Sequence, residues 1–422
     1  MLNFEWTIEF IVALAIIFII AAITIPAGIG GGILFVPVLR LVAGFSQREA
    51  TALSQVLITG ASLGCIVFQI MWQLHNKSEP LLAQPYFVVI MMPALLSGSI
   101  VGVYMNKILP DIVSLLVLVC LCASSSVLIF KKGFTIYHRE NEELATLVET
   151  ASASHTPLEL LIEDSIDAPP QSFMYDERLS SISSSVRRRV RDTSQSPEQL
   201  VNILKPDLKK SNIILSTLTR SSGSFLTFTL SYWILLILFM LLRGSKANSS
   251  IAQIVPCSLT YWLLTGGQLL LGIAVAFTVA SSEWKLILLT FLTGFISTIS
   301  GGGGGVLLNP LLLARNLDPQ QASATSTIIM FVMASCSALE FVMAGKVQPV
   351  LTSTMAITFL GSVIGMTVIT WLVKKLGRQS ILVFILGAII VIGCALLIYL
   401  GVYDTMSTIQ KEMSPFQLGI LC

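Results

Sequence analysis

Long apolar runs recur along both ends of the chain, separated by short polar stretches. A helix needs about 20 apolar residues to cross a bilayer core of about 30 Å, and most of the runs reach that length. Two of them, near residues 33–45 and 306–314, are too short to cross unaided. The pattern predicts an all-α, polytopic membrane protein. Its apolar runs fall near residues 6–25, 33–45, 50–74, 86–105, 112–130, 225–242, 257–280, 286–299, 306–314, 322–343, 350–373 and 381–400.

The composition supports a membrane protein and excludes several other classes. Of the 422 residues, 54% are hydrophobic and 11% charged, whereas about a quarter of the residues of a soluble protein are charged. The net charge is +2, and no stripe of Lys and Arg with interleaved aromatics appears, so nucleic acid is not an expected partner. None of the three histidines lies within helical reach of a cysteine or another histidine, so we expect no metal site and no cofactor.

A polar stretch from residue 131 to residue 224 divides the apolar runs into two groups. It is acidic in its first half and basic in its second, where a run from Arg187 to Arg191 follows a cluster of serines. Low hydrophobicity with high charge predicts disorder over much of it, which makes a solvated tether. A kinase or an anionic lipid surface is the alternative partner for these serines and arginines. The basic half favours the cytoplasmic side.

The two groups of apolar runs contain an internal repeat. The segment from Gly28 to Leu39 matches the segment from Gly301 to Leu312, with glycines, leucines and proline in the same order. After a loop, residues 50–54 match residues 322–326. Further on, Gly98 and Gly102 correspond to Gly361 and Gly365, a spacing that lets two helices approach closely. Three matches in one order indicate duplication.

The repeat predicts how the chain is divided. If every apolar run is a crossing, the second copy is inverted relative to the first, an arrangement that many secondary transporters share. If the short runs are re-entrant, the same count makes the copies parallel. We expect a first transmembrane repeat at 1–130, a soluble, partly disordered Ser/Arg-rich cytoplasmic linker at 131–224, two additional transmembrane helices at 225–280, a second transmembrane repeat at 281–402 and a C-terminal tail at 403–422.

The glycine runs are the strongest candidate for a site. Glycine costs a helix about 1 kcal/mol relative to alanine and proline about 3 kcal/mol, so each run predicts a broken helix. Backbone without partners is tolerated at membrane depth only inside protein or beside a wet cavity. A helix that restarts after the break presents free N–H groups and a partial positive charge to an anion. The alternative use of these glycines is close helix packing.

The candidate substrate-binding residues are therefore the two breaks and the polar residues near them. For any single Ser or Thr, a hydrogen bond to its own helix is the more frequent fate. The candidates are Gly28, Gly30, Gly31, Gly32, Pro37, Ser54, Gln55, Ser300, Gly303, Gly304, Gly305, Asn309, Pro310, Thr325 and Ser326.

Glu340 is the clearest ionisable residue inside an apolar run, where such residues are rare and often functional. It is a candidate for carrying a coupled proton or ion. The alternative is that its side chain extends to the membrane interface beside Lys346.

These motifs resemble the sulfite exporter TauE/SafE family of membrane transporters. The resemblance rests on Gly30–Gly32 through Pro37 followed by Ala52-Leu53-Ser54, and on its recurrence at Gly303–Gly305 through Pro310 and at Ala324-Thr325-Ser326. It implies a multi-pass protein that transports sulfite, organosulfonates or related anions. The leading hypothesis is that such an anion binds between the two broken-helix repeats and is exposed alternately to each side of the membrane. The chain departs from the pattern at Leu53, where the second copy has Thr325, and in its long linker.

Two other functions are weaker. A membrane receptor or scaffold would use the repeats only for packing and the Arg/Ser-rich linker to bind a signalling partner. An intramembrane enzyme ranks lowest, because no His-Glu-x-x-His motif and no paired carboxylates inside the apolar runs are present. We therefore expect a transporter rather than an enzyme.

Overall fold

The computed structural model describes residues 7–26, 28, 30–75, 83–154, 222–244, 254–301, 304–315, 317, 319–376 and 380–410. These residues form twelve α-helices and no strand, which confirms the all-α class. Two short 3-10 helices, Ser281–Glu283 and Pro349–Thr354, join them. The helices are α1 Ile8–Thr24, α2 Gly32–Leu41, α3 Gln47–His75, α4 Pro85–Ile108, α5 Asp111–Ser154, α6 Ser222–Arg243, α7 Leu259–Ala280, α8 Trp284–Ser300, α9 Gly305–Ala314, α10 Pro319–Met343, α11 Met355–Leu376 and α12 Ser380–Gln410.

Most of these helices suit a bilayer. In the described part of the chain, seven helical stretches are long and apolar enough to cross a membrane, and α1, α2 and α9 are shorter apolar helices. The two short runs seen in the sequence thus form helices of ten residues each, α2 and α9. The protein is a multi-pass helical membrane protein.

The helices divide into a central and a peripheral group. In α3, 78% of the apolar stretch is buried inside the protein, and in α4 83%. The corresponding shares are 28% for α6 and 22% for α11, which expose large apolar side chains such as Leu226, Ile234 and Trp371. Apolar surface of this extent belongs against lipid rather than water. The core therefore lies around α3, α4 and α10, where the breaks are also held.

The two copies grip each other through their glycine pairs. A side chain added at Gly361 or Gly365 would collide with carbonyls of α1, and one added at Gly98 or Gly102 with carbonyls of α8. These are the same contacts in both copies, because α1 corresponds to α8 and α4 to α11. Each copy's first helix therefore packs on the other copy's fourth. The colliding carbonyls are those of Phe18, Ala22, Phe291 and Phe295.

The last helices of the two copies, α5 and α12, pack antiparallel. Residues near the start of α5 contact the end of α12, and residues further along α5 contact the start of α12. The N–H of Ser380 donates to Glu140 Oε1 at 2.9 Å. The pairs in order along α5 are Leu115 with Gly401, Val119 with Cys394, Phe130 with Gly387, and Gly133 with Val383.

Two helices run beyond the boundaries expected from the sequence. Helix α5 continues past residue 130 to Ser154, and α12 continues past residue 402 to Gln410. No glycine or proline follows Gly133 until Pro157, and charged residues such as Glu favour helix as well as Leu does. The rest of the expected linker, including Arg187–Arg191, lies outside the described residues, as does most of the tail.

Candidate functional site

The first break lies between α1 and α2. Gly28, Gly30 and Gly31 have φ of 77°, 86° and 72°, a region that side-chain-bearing residues rarely adopt. The chain becomes helical again where the N–H groups of Leu34 and Phe35 donate to the Gly31 carbonyl at 3.0 and 2.9 Å. All of these residues are buried. The predicted break is therefore a real change of backbone conformation within the protein.

The second break resembles the first but is not identical to it. Helix α8 ends at Ser300, Gly301 follows with a φ of 70°, and α9 begins after Gly304. Gly304 has a φ of −25°, not the left-handed value of Gly31, its counterpart. The Leu308 N–H donates to the Gly304 carbonyl at 2.9 Å. Gly303 lies outside the described residues.

A proline inside each short helix frees a further backbone group. Pro37 in α2 and Pro310 in α9 are both buried. Proline has no N–H, so the carbonyls of Ile33 and Val306, four residues earlier, lose their helical partner. By helix geometry, the N–H groups of the first turn, including those of Gly32 and Gly305, have no acceptor within their own short helix, and the carbonyl opposite each proline has no donor there.

Each break is held by a serine of the other copy. Ser54 Oγ shares its proton between the Thr51 carbonyl of its own helix, at 2.7 Å, and the Gly301 carbonyl, at 3.0 Å. Ser326 Oγ shares its proton in the same way between the Ser323 carbonyl, at 2.9 Å, and the Gly28 carbonyl, at 3.4 Å. Ser54 and Ser326 are equivalent, as are Gly301 and Gly28, so the two bonds are one contact made twice. The structure thus brings Ser54 and Ser326 to the breaks, as the sequence predicts, and employs their hydroxyls there.

The glycines at the breaks also permit close packing. A side chain at Gly28 would approach the Asn309 amide and the α10 backbone at 2.9 Å. One at Gly31 would lie 2.6 Å from the ring of Phe35. Gly304 is less crowded, with Met333 as its nearest neighbour at 3.4 Å. Close packing is therefore one use of these glycines, and it is tighter at Gly31 than at Gly304.

Thr325 has a role that its counterpart Leu53 lacks. The backbone N–H of Gln84, just before α4, donates to Thr325 Oγ1 at 2.9 Å, and Gln84 Nε2 donates to Gln321 at 3.2 Å. These bonds tie the start of α4 to α10. The departure at Leu53 therefore removes a structural bond from the first copy.

Gln55 differs from the other polar candidates. Its side chain is fully buried, and within the described part of the chain neither its amide oxygen nor its amide nitrogen has a hydrogen-bond partner. Buried side-chain polar groups are satisfied in the large majority of cases. Both polar atoms of the Gln55 side chain therefore stay available for another group.

Glu340 lies in an ion pair that the sequence did not reveal. Its Oε1 is 2.8 Å from Arg243 Nη2, and both side chains are about 95% buried. The guanidinium also donates to Thr265 at 3.3 Å and lies over the rings of Tyr104 and Tyr261, at 5.6 and 5.3 Å. Glu340 therefore pairs with Arg243 at the end of α6, rather than extending to the interface beside Lys346.

Two broken-helix copies, each completed by the other and buried in an apolar helical bundle, define a polytopic membrane protein with an internal repeat. The family model described as "Sulfite exporter TauE/SafE" matches residues 4–154 and 213–396. The chain belongs to this family, which is one of membrane transporters of sulfite or related anions. The resemblance stated from the glycine motifs is thereby confirmed.

Curated relatives match over nearly the whole chain. "Sulfite exporter TauE/SafE family protein 5" of Arabidopsis thaliana is 25% identical over 93% of this chain and 83% of its own length. Family protein 1 of the same plant is 24% identical over 95% and 85%. Family protein 3 is 24% identical over 97% and 82%. No solved structure matches the chain.

Proposed function

We propose that this protein carries a small anion, such as sulfite, an organosulfonate or a related oxyanion, across a membrane by alternating access between its two repeats. The family supports the class of substrate. The observation that carries the mechanism is the reciprocal contact at the breaks, where Ser54 holds Gly301 and Ser326 holds Gly28. Movement of one copy against the other changes both breaks together, which is what an alternating site requires.

We propose further that the copies are inverted. A two-fold axis along the helices makes equivalent helices parallel, whereas an axis in the membrane plane makes them antiparallel. The antiparallel pairing of α5 with α12 supports the second arrangement. Helices α1 and α3 both run parallel to α11. This direction follows from contacts at successive turns of each helix pair, which begin with Gly361 against Phe18 and with Gly60 against Met355. The chain therefore returns through the short α2 to the side on which α1 begins, so α2 counts as a crossing, as inversion requires.

Labelling tests this orientation. Single cysteines placed at Ile8, the start of α1, and at Lys285, the start of α8, are expected to react with an impermeant maleimide from opposite sides of a sealed vesicle. Labelling of both positions from the same side would contradict inversion. The native cysteines are replaced in the background protein, and that background must retain flux.

We place the anion beside the first turns of α2 and α9. Their N–H groups carry partial positive charge, and such termini bind anions without a cationic side chain. Gly32 and Gly305 begin these helices and carry no side chain that would cover the backbone. Ser54 and Ser326 position the breaks, and Gln55 is the polar side chain next to them along α3.

Glu340 is our candidate for coupling. In the ground state its carboxylate faces Arg243, so a proton or cation that binds Glu340 competes with the guanidinium and loosens α6 from α10. Transport driven by a pH gradient in the wild type, and independent of that gradient in Glu340→Gln, is the expected result. The linker's proposed contact with a kinase or anionic lipid concerns residues outside the described part and stays a prediction.

The deciding experiment is uptake by proteoliposomes. Purified protein is reconstituted and offered sulfite, sulfate, methanesulfonate and acetate, with and without a pH gradient, and protein-free vesicles serve as the control. Saturable uptake of one or more of these anions supports the transporter. Absence of flux for the whole panel, together with linker-dependent binding of a protein partner, would favour the receptor instead.

A further inference from the structure

At the interface between α3 and α10 lies a polar pair whose side chains have hydrogen-bond partners within the protein. The Cys65 thiol lies 3.9 Å from Thr327 Oγ1, and Gln69 Nε2 donates to the same sulfur at 3.4 Å. Thr327 in turn donates to the Ser323 carbonyl at 2.7 Å. All the polar atoms at this place have acceptors or donors within the protein.

Exchange of the two copies maps this pair onto Gln55 and Ser337. Gln55 holds the position of Thr327, and Ser337 that of Cys65, by the same offset that relates Ser54 to Ser326. The reciprocal serine bonds show that the exchange is obeyed by individual contacts in this part of the core. By this symmetry we infer that Gln55 and Ser337 face each other across the same interface, on the other side of the pseudo-two-fold axis.

The polar side-chain atoms of Gln55 and Ser337 lack hydrogen-bond partners among the described residues, whereas those of Cys65 and Thr327 have them. Gln55 is 0% exposed and Ser337 2%. Within the described residues, neither amide atom of Gln55 nor the hydroxyl of Ser337 has a partner, and the same holds for the buried hydroxyl of Thr51, one helical turn before Gln55. Thr51 also lies against Gly301 of the second break. Three neighbouring side chains thus bury four polar atoms without a protein partner.

Such a cluster requires a polar occupant. An unpartnered buried donor or acceptor costs its full desolvation free energy, and native proteins remove this cost with protein groups, water or a ligand. The atoms here include three that donate, Gln55 Nε2 and two hydroxyls, and one, Gln55 Oε1, that only accepts. An occupant that satisfies them all must accept hydrogen bonds and also donate one.

The charge of the surroundings limits the occupant further. From Ala50 to Cys65 on α3, and from Ser323 to Leu339 on α10, the chain contains no Lys or Arg. Burial of an anion is costly without a cation, and the cost rises steeply with its charge. The formal charges nearest in sequence are Arg48 and Glu49 before this part of α3, which are opposite in sign, and Glu340 on α10, which is paired with Arg243 of α6. A monoanion is therefore favoured over a dianion.

We propose that Gln55, Thr51 and Ser337 select the substrate and recognise a small monoanionic oxyanion that retains a proton, with hydrogensulfite as the representative. Gln55 Nε2 and the two hydroxyls donate to its oxygens, and Gln55 Oε1 accepts its O–H. This inference rests on the proposed function and names the chemical form that the transporter takes. It adds Thr51 and Ser337, and it makes the two halves of the interface unequal.

The test compares wild type with Gln55→Leu in proteoliposomes, at a pH acid enough to keep sulfite as its monoanion. Methanesulfonate is the second probe because it carries the same charge but has no proton to donate. Loss of one hydrogen bond to a charged ligand lowers affinity about tenfold or more. We expect KM for hydrogensulfite to rise about tenfold or more in Gln55→Leu and in Ser337→Ala, and the preference over methanesulfonate to fall in Gln55→Leu. The matched control is Ser62→Ala, a buried serine on the same helix whose hydroxyl is bonded to the Ile58 carbonyl at 2.7 Å.

A binding measurement separates this inference from the proposed function. Leucine fills the place of an unsatisfied amide, so the thermal stability of Gln55→Leu without ligand is expected to equal or exceed that of the wild type. Hydrogensulfite is expected to raise Tm in the wild type and in Ser62→Ala, but not in Gln55→Leu. If wild type and Gln55→Leu transport hydrogensulfite with equal KM, the cluster holds only structural water and the inference is wrong while transport stands. If no anion is transported but hydrogensulfite raises Tm only in proteins that retain Gln55, the inferred binding site is supported and the proposed transport function is wrong.

Discussion

The buried pair of Arg243 and Glu340 gives the sharpest prediction about how the bundle is held together. The two groups are 2.8 Å apart, and each side chain is about 95% buried. Removal of one partner leaves an uncompensated buried charge, which costs about 3–5 kcal/mol. Glu340→Leu leaves the guanidinium with Thr265 and two tyrosine rings, and Arg243→Met leaves the carboxylate unpaired.

The double variant reverses most of this loss. Replacement of a buried ion pair by apolar residues of similar volume is often neutral or stabilising, so Arg243→Met with Glu340→Leu is expected to unfold near the wild-type midpoint. The cycle then gives a coupling free energy of about 3 kcal/mol or more. The measurement is denaturant or thermal unfolding of the purified protein in detergent, under one condition for all four proteins.

A surface pair provides the control. Arg315 and Glu283 are 3.3 Å apart, but their side chains are 39% and 36% exposed, so the equivalent cycle is expected to give about 0–1 kcal/mol. A coupling at the buried pair no larger than at this one would refute the reasoning. The buried double variant also tests coupling, because it restores the fold without restoring the carboxylate. We expect the flux of this double variant to be independent of a pH gradient.

The remaining predictions concern the breaks and the helix contacts. Gly31→Val and Gly304→Val are expected to abolish flux in protein that still inserts, and normal flux in both would exclude the backbone site. Gly31→Ala is expected to lower stability by about 1–2 kcal/mol more than Gly304→Ala, since only Gly31 has positive φ. Ser54→Ala is expected to lower stability more than Ser326→Ala, because Ser54 lies 3.0 Å from the glycine carbonyl of the other copy and Ser326 lies 3.4 Å from its own. Equal losses of stability would contradict this. Gly98→Val is expected to prevent correct folding, measured as loss of a monodisperse peak in detergent, because its side chain would enter a carbonyl of α8.

Much of the architecture could be predicted from the sequence because it depends on local properties. The length of the apolar runs predicts the helices, and runs of glycine predict the breaks at Gly28–Gly31 and at Gly301–Gly304. The Gly98/Gly102 and Gly361/Gly365 pairs predicted close approach, and each pair does lie on helix backbone. The far end of α5 was missed because charge indicates exposure to water, whereas helix formation there depends on backbone propensity.

The pairing of side chains could not be predicted in the same way. Arg243 and Glu340 are far apart in the sequence, and no periodicity relates a residue at the end of one helix to one on another. The only signal was an opposite charge at the end of each of two apolar runs. In the first copy, Ser54 and Gln55 are adjacent and looked alike as polar candidates. Only the packed structure shows that Ser54 is bonded and that Gln55 has no partner within the described residues.

The exchange of first helices between the copies also has a consequence for biosynthesis. Gly98 and Gly102 on α4 are covered by α8, which the ribosome delivers only after the linker and two further helices. Until α8 is made, no helix covers the glycine groove of the first half after that half has left the membrane insertion machinery. In the same way, α1 has no partner helix until α11 is made. Neither half is an autonomous folding unit, so maturation is a late, whole-chain event, and a truncated product presents an open groove to lipid and to cellular quality control.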